Sequence, residues 1–443
     1  MHRDVLRLAL PVLGEQLLIF FVGVFDTFLA GQISTNATAA IGVAAYVGWL
    51  ASLLFSLVAI GTTALVARHW GAGEFGRANQ IVNQSLPLAF FVGTGVFLLI
   101  YTIAPTIATL QNMTGEAHGI VVRYLRIDAA GQVFTSLSLV GAAALRGSGD
   151  TRTPMWVHVV VNLVNITVSP ILVFGVGPFS PWGIDGIVTG TVTGRICGGL
   201  LMLGVLSSGM SGLRLLRSEL YLRAEPIRRI LRIGIPAAID GMLMWVGHFL
   251  FVMIIARLGE GEQGRAIYAA HIIGIQVEAL TYLPAVAWGA ASATLIGQAL
   301  GARDPQRAWR VGHTAVLQCM LLALVATTVY FSAAGPIYRL MHSDPTVWKE
   351  GVPALRMLAF FQIPHVMLIV YIHSLRGAGD TRYPMLFTLA GVFAVRIPLA
   401  YYCGIVLQGG LVGAWVGMLA DITLRAILVT IRYTRGRWRE IEV

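Results

Sequence analysis

Charge is scarce in this chain. Only 12% of its 443 residues are Asp, Glu, Lys or Arg, and Lys349 is the sole lysine. Cysteine is scarcer still: Cys197, Cys319 and Cys403 lie in or at the edge of apolar stretches and share no paired spacing. That pattern excludes a disulfide framework and a zinc ligand set. One lysine outside any glycine-rich loop excludes a Walker-type phosphate loop, and with it ATP hydrolysis by this polypeptide. Nor does the chain hold an H-E-x-x-H or other clustered His and acid motif of the kind a membrane-embedded enzyme would carry.

What the chain has instead is hydrophobicity, with 56% apolar residues and a mean hydropathy of +0.76. This composition describes a polytopic membrane protein, not a soluble globule. About twelve apolar stretches reach the 18 or so residues a spanning helix needs. They centre near Phe20, Leu57, Leu98, Gly141, Val164, Leu200, Val246, Val286, Ala323, Leu368, Phe393 and Leu419. Their lengths fit helices and exceed the short alternating strands of an outer-membrane barrel. "MHRDVLR" runs straight into the first stretch without a small-residue cleavage signature, so that span is expected to remain as an anchor.

The formal charge of +10 is carried by arginines in short connections, not by one continuous face. They cluster at Arg3 and Arg7, in "ARHWGAGEFGR", "LRGSGDTR", "LRLLRSELYLRAEPIRRILR", "ARDPQRAWR", "LRGAGDTR" and the tail "RYTRGRWRE". These are every second connection and both termini, with Arg265, Arg339 and Lys349 as exceptions. The positive-inside rule then predicts both termini on the cytoplasmic side and reads the charge as a topology signal, not a nucleic-acid surface.

Two of those connections are nearly the same text. "LRGSGDTRTP" at 145–154 returns 230 positions later as "LRGAGDTRYP" at 375–384. Each copy is expected to end a helix at Leu-Arg-Gly, with the glycine left-handed and a proline in the first turn of the next helix. The motif reads as a cytoplasmic corner built by Arg146, Gly147, Asp150 and Arg152, and again by Arg376, Gly377, Asp380 and Arg382. The aspartates are placed to pair or to cap backbone groups. "LRLALP" at 6–11 likewise returns as "LRIGIP" at 231–236, "LVARHWGAGEFGRA" at 65–78 as "LIGQALGARDPQRA" at 295–308, and "YLRI" at 124–127 as "ALRM" at 354–357. The chain is therefore expected to be two homologous six-helix lobes, residues 1–212 and 230–443, joined by a cytoplasmic linker at 213–229. Six spans per half put equivalent loops on one side, which makes the halves parallel repeats about a pseudo-two-fold axis along the membrane normal, as in secondary transporters.

Taken together, the "LP" entry to the first span, "VFDTFLAGQI", "LVARHWGAGEFGRA", "ALRGSGDTRTPM", "NLVNITVSPILVFG", "AAHIIGIQVEALTYLP", "LIGQALGA" and "SLRGAGDTRYPM" resemble the multidrug and toxic compound extrusion (MATE) transporters, in particular their bacterial branches. The resemblance runs along essentially the whole chain. It implies twelve helices in two lobes, residence in a bacterial inner membrane, and export of cationic amphiphiles in exchange for protons or sodium ions. No organic cofactor is implied, and the protein is expected to work as a monomer whose partners are lipophilic cations and the bilayer.

Acids inside spans that break the internal symmetry are the candidates for coupling. Glu15 and Asp240 are equivalent, four residues after a proline near the cytoplasmic end of a span, and read as scaffold. Asp421 and Arg425 have the spacing of an intrahelical ion pair. Asp26 has Phe251 as its counterpart and lies ~27 Å along the helix from Leu8 at 1.5 Å per residue. A carboxylate so buried needs a proton or a cation, and the resemblance makes Asp26 the cation-binding acid, with Asn165 joining it. Ser169 is one turn from Asn165 and stands where many relatives carry a second acid, so sodium held by carboxylate, amide and hydroxyl oxygens rivals proton coupling. The second unmatched acid is Glu278, opposite Gly48. With Tyr282, Trp245 and Trp288 it is the candidate substrate site for a lipophilic cation. His248 and His271 read as helix-helix hydrogen-bond partners. The rival reading is a lipid-linked precursor flippase of the same superfamily, which would use Arg126, Arg195, Arg356, Arg396 and Arg425 to hold a pyrophosphate headgroup.

Overall fold

Every apolar stretch becomes a helix. The computed structural model describes residues 1–111, 113–178 and 180–441, with Thr35 and Asn36 in backbone only, and no strand occurs among the described residues. The helices are α1 (His2–Gly31), α2 (Thr35–Gly71), α3 (Phe75–Leu110), α4 (Gly115–Ser148), α5 (Arg152–Phe174) and α6 (Ile184–Ser208) in the first half. The second half holds α7 (Ala224–Ile255), α8 (Gly261–Gly301), α9 (Pro305–Met341), α10 (Pro345–Phe360) and α11 (Gln362–Gly377). It closes with α12 (Arg382–Val406) and α13 (Gly410–Arg435). Among the described residues eleven helices are long and apolar enough to span a membrane, and α10 with α11, bent by 58° at Phe361, makes a twelfth. The chain is a multi-pass membrane protein.

By their internal contacts the residues form two compact units. One holds Leu10–Ile235 with Gly301–Arg303; the other holds Met1–Ala9, Pro236–Leu300 and the chain from Asp304. In the first unit α4 packs on α2, α3 and α6, and α6 packs on α5. The fit of α5 to α6 is written in a four-residue glycine stripe, Gly186, Gly190, Gly194 and Gly198, along one face of α6. A Cβ at Gly186 would come within 2.6 Å of the Val173 amide nitrogen, and one at Gly190 within 2.8 Å of the Ser169 Cα. Small residues at this spacing let two backbones approach where no hydrophobic drive between helices exists.

The stretch 213–223 is pinned to the first unit by amide side chains of α3. Asn83 and Gln84 are fully buried. Asn83 accepts from the Leu216 amide (2.8 Å) and donates to the Arg214 carbonyl (3.0 Å). Gln84 accepts from the Arg223 amide (2.6 Å) and donates to the carbonyls of Glu219 (2.6 Å) and Tyr221 (2.8 Å).

The repeated corner is built as expected in outline but uses different glycines for the turn. Gly149 (φ 96) and Gly379 (φ 89) take the left-handed conformation, while Gly147 and Gly377 remain helical. The last two serve close approach instead: a Cβ on Gly147 would lie 2.9 Å from the Val66 Cβ, and one on Gly377 would run into the Ala293 backbone. A Schellman-type end accounts for this, since the Asp150 amide returns to the Leu145 carbonyl (2.9 Å) and the Asp380 amide to the Leu375 carbonyl (2.8 Å). Asp150 caps α5 through the amides of Arg152 (3.1 Å) and Thr153 (3.0 Å), and takes the Ser211 hydroxyl at 2.8 Å. Burial alone would raise its carboxyl, but the bonds from Thr153, Ser211 and Arg152 outweigh burial and hold it below the usual 3.8. Asp380 is raised by burial even though the Arg432 guanidinium lies 2.8 Å away. Arg152 and Arg382 point into the exposed surface.

Candidate functional site

The arginines of the two corner motifs reach back to the symmetric acids. Arg146 donates to both carboxylate oxygens of Glu15 at 2.9 Å, and Arg376 donates to Asp240 at 2.5 Å. Glu15 and Asp240 are 3% and 2% exposed, so each half neutralises one buried acid with one motif arginine. This pairing is the physical content of the repeat.

Asp26 stands in a different environment. The residue is 6% exposed, in the C-terminal half of α1. Its Oδ2 accepts from the Thr191 hydroxyl at 2.8 Å, and its Oδ1 from the Asn165 side-chain amide at 3.3 Å. The same amide lies 3.1 Å from the Thr191 Oγ1. The glycine stripe of α6 makes this possible, because it brings Thr191 against the α5 face that carries Asn165 and Ser169. Two further oxygens have no partner: Asn165 Oδ1 and Ser169 Oγ are buried and unbonded. Pro170 removes the amide that would bond the Ile166 carbonyl within α5, which frees one more oxygen on this stretch. The Asp26 carboxylate, the Asn165 amide and the Thr191 hydroxyl meet at one buried point, where the carboxylate can take a proton or its oxygens a hard monovalent cation.

Asn165, named from the sequence, is thus in contact with Asp26, and Ser169 lies on the same face one turn away. Thr191 was not foreseen, because a threonine in a span carries no charge to mark it. Asp128 was equally missed, although the symmetry criterion points to it: its counterpart 230 positions on is Leu358. Asp128, 4% exposed on α4, binds Arg195 of α6 at 2.8 Å and Gln132 at 2.8 Å.

In the second unit Glu278 faces His365, whose Nδ1 is 3.2 Å from its carboxylate. His365 on α11 was not singled out in the sequence. Tyr282 stacks on the same imidazole, with ring centroids 6.4 Å apart. Trp245 stacks on Phe249 (5.9 Å), one turn along α7. Trp288 is not grouped with them: it is buried and donates to Gln318 of α9 at 2.9 Å, the role of a packing residue. His271 accepts from the Trp415 indole at 3.2 Å, a helix-helix bond of the expected kind. The Asp421–Arg425 pair forms at 2.6 Å and gains Arg396 at 2.7 Å, a triad buried on all three members. Arg396 sits at the end of a π-helical stretch, Ala390–Arg396, inside α12.

Of the arginines that a pyrophosphate headgroup would require, three are paired with acids and two are exposed over aromatic rings. Arg195, Arg396 and Arg425 are bound to carboxylates, and Arg126 and Arg356 lie over the rings of Tyr101 (5.0 Å) and Phe331 (6.0 Å).

The family model described as MatE matches residues 11–171 and 236–402, one copy on each half of the chain. The chain belongs to the MatE family. Among curated relatives it is 29% identical to a probable multidrug resistance protein NorM of Thermotoga maritima over 99% of this chain and 93% of that one. It is 26% identical to the multidrug resistance protein PmpM of Pseudomonas aeruginosa, over 99% and 92% of the two chains. Its fold matches, at a TM-score of 0.91 and 20% identity, a MOP superfamily transporter from Pyrococcus furiosus, over 100% of this chain and 97% of that one. That structure is described as having a binding pocket of reverse polarity that suggests a different function. A multidrug resistance MATE family transporter in an outward-facing conformation matches equally, at 0.91 and 20% identity over 98% and 96%. MatE membership makes this chain a transporter-type membrane protein and not an enzyme.

Proposed function

We propose that this MatE protein exports lipophilic cations across a bacterial inner membrane, with both termini cytoplasmic, by exchange for protons or sodium ions in an alternating-access cycle. The reading is carried by Asp26, a buried carboxylate whose hydrogen-bond partners, Thr191 and Asn165, are both neutral. Such a group is stable in the membrane only when protonated or paired with a bound cation. It therefore loads and unloads one positive charge as access alternates. The relatives named as multidrug resistance proteins supply the substrate class, and Glu278, Tyr282 and Trp245 offer acid and aromatic faces to a cationic amphiphile. Neither a cofactor nor a second subunit is needed for this cycle.

The test is ethidium transport by the purified protein in liposomes, under an imposed proton gradient and then a sodium gradient. One of the two drives transport in the wild type. Asp26→Asn, which keeps the shape but cannot take up a cation, lowers the gradient-driven rate at least about tenfold, as expected for loss of a buried functional carboxylate. Undiminished coupling in Asp26→Asn would refute the assignment.

A further inference from the structure

Asp26 is not the only carboxylate of this part of the unit, and a guanidinium stands one helical turn from its partner Thr191. Thr191, which donates to Asp26, and Arg195 occupy positions i and i+4 of α6. They share a face and are separated by ~6 Å of rise. The Arg195 side chain is 27% exposed. It does not bind Asp26. Its arm runs across α4 over Gly131, where a Cβ would meet the Arg195 Cδ at 3.1 Å, and its Nη1 ends 2.8 Å from Asp128. Asp128 is itself held by Gln132, one turn along α4, at 2.8 Å.

The second unit arranges its arginine differently. On α13, Arg425 takes the acid one turn earlier on its own helix, Asp421, at 2.6 Å. Arg195 has Thr191 at that i−4 position, and Thr191 is occupied with Asp26. The acid that neutralises Arg195 has to come from α4. The charged members of the first-unit cluster are thus Asp26, Asp128 and Arg195; Thr191, Asn165, Gln132 and the buried Tyr124 are its neutral polar members. Two carboxylates against one guanidinium leave one negative charge for an external cation.

Resting on the coupling role of Asp26 proposed above, we infer that Asp128 is a positioning residue that sequesters Arg195, so that Asp26 has no counter-ion within the protein and must take one from solution. Without Asp128, Arg195 swings one turn along α6 to Asp26. The arginine then occupies the site as a tethered, non-exchangeable cation, and gradient-driven transport stops although every group touching Asp26 is intact.

The experiment uses the full-length protein in liposomes, ethidium as the transported probe, and whichever ion gradient drives the wild type. Asp128→Asn is expected to lower the driven rate at least about tenfold, since it frees a buried charge from its partner. The double variant Asp128→Asn/Arg195→Gln removes the tethered cation and is expected to recover to within about threefold of wild type. Asp128→Glu, which keeps the acid beside Arg195, stays within the same range. Deleting Arg195 also relieves the charge that Asp128→Asn strands, so every rate is taken per folded, monodisperse protein, and the thermal midpoints of the variants separate a loss of fold from a loss of coupling. Wild-type transport in Asp128→Asn overturns the inference. So does a double variant that runs as a single folded species yet transports no better than Asp128→Asn. If the double variant does not fold, a loss in Asp128→Glu equal to that in Asp128→Asn overturns it as well. Asp26→Asn, measured alongside, separates the two failures: wild-type transport there removes the coupling role of Asp26. An inactive Asp26→Asn beside an active Asp128→Asn removes only the sequestering role.

Discussion

At Glu15 and Asp240 a buried acid is made tolerable by an arginine from a distant corner motif, at 2.9 Å in one half and 2.5 Å in the other. At Asp26 no such arginine is bound, and its proposed coupling role rests on that difference. Removing one member of a buried ion pair strands the other charge, typically at about 3–5 kcal/mol. Arg146→Ala is therefore expected to lower the thermal midpoint of the detergent-purified protein markedly. Arg152→Ala, in the same motif but exposed and in no ion pair among the described residues, should leave it within about 0.5 kcal/mol of wild type. Equal midpoints for the two variants, followed by intrinsic fluorescence, would show that the motif acts through its charge count alone.

Among the elements, α6 does the most to assemble the site. Its glycine stripe admits α5 at backbone distance, and only at that distance do Thr191 and Asn165 meet over Asp26. Gly190→Val would place side-chain atoms on the Ser169 backbone, 2.8 Å from its Cα, and force the helices apart. The expected result is loss of gradient-driven ethidium transport together with a lowered thermal midpoint. Gly204, further along α6, has nothing within 4 Å of an added Cβ. Gly204→Ala should be neutral or stabilising by about 0.5–1 kcal/mol, because alanine loses less backbone entropy in a helix. A Gly190→Val protein that transports normally would show that the α5 to α6 approach is not what builds the site. The four-residue glycine spacing was readable in the sequence. Its partner face was not, since spacing names a close approach without naming the helix that makes it.

For the whole molecule the useful quantity is net charge per cycle. On the proposed cycle Asp26 loads one positive charge, and ethidium carries one. A one-for-one exchange of monovalent cations moves no net charge, so a potassium-valinomycin potential, worth about 2.3 kcal/mol per charge per 100 mV, should not drive it. A tenfold gradient of the coupling ion is worth about 1.4 kcal/mol and supports about tenfold accumulation of ethidium. Accumulation driven by the potential alone would require more than one coupling ion per ethidium, and a second loading site beside Asp26.

The sequence by itself determined the membrane class, the spans, the two-fold repetition and the isolation of Asp26. Each follows from one-dimensional quantities: apolar run length, the arginine spacing of loops, and an acid without a counterpart at a fixed offset. Asn165 and Ser169 were also within reach, being one turn apart on a helix that resembles a known family's. The tertiary structure alone decided that Arg146 and Arg376 neutralise Glu15 and Asp240, that Thr191 completes the Asp26 site, and that His365 faces Glu278. It also assigned the corner turns to Gly149 and Gly379, and set Trp288 into packing against α9. These are contacts between residues up to 165 positions apart, as in the Thr191 bond to Asp26. Helical periodicity fixes which residues share a face. Which faces meet is set by the packing of whole helices, and that packing gives Arg195 to Asp128 and not to Asp26.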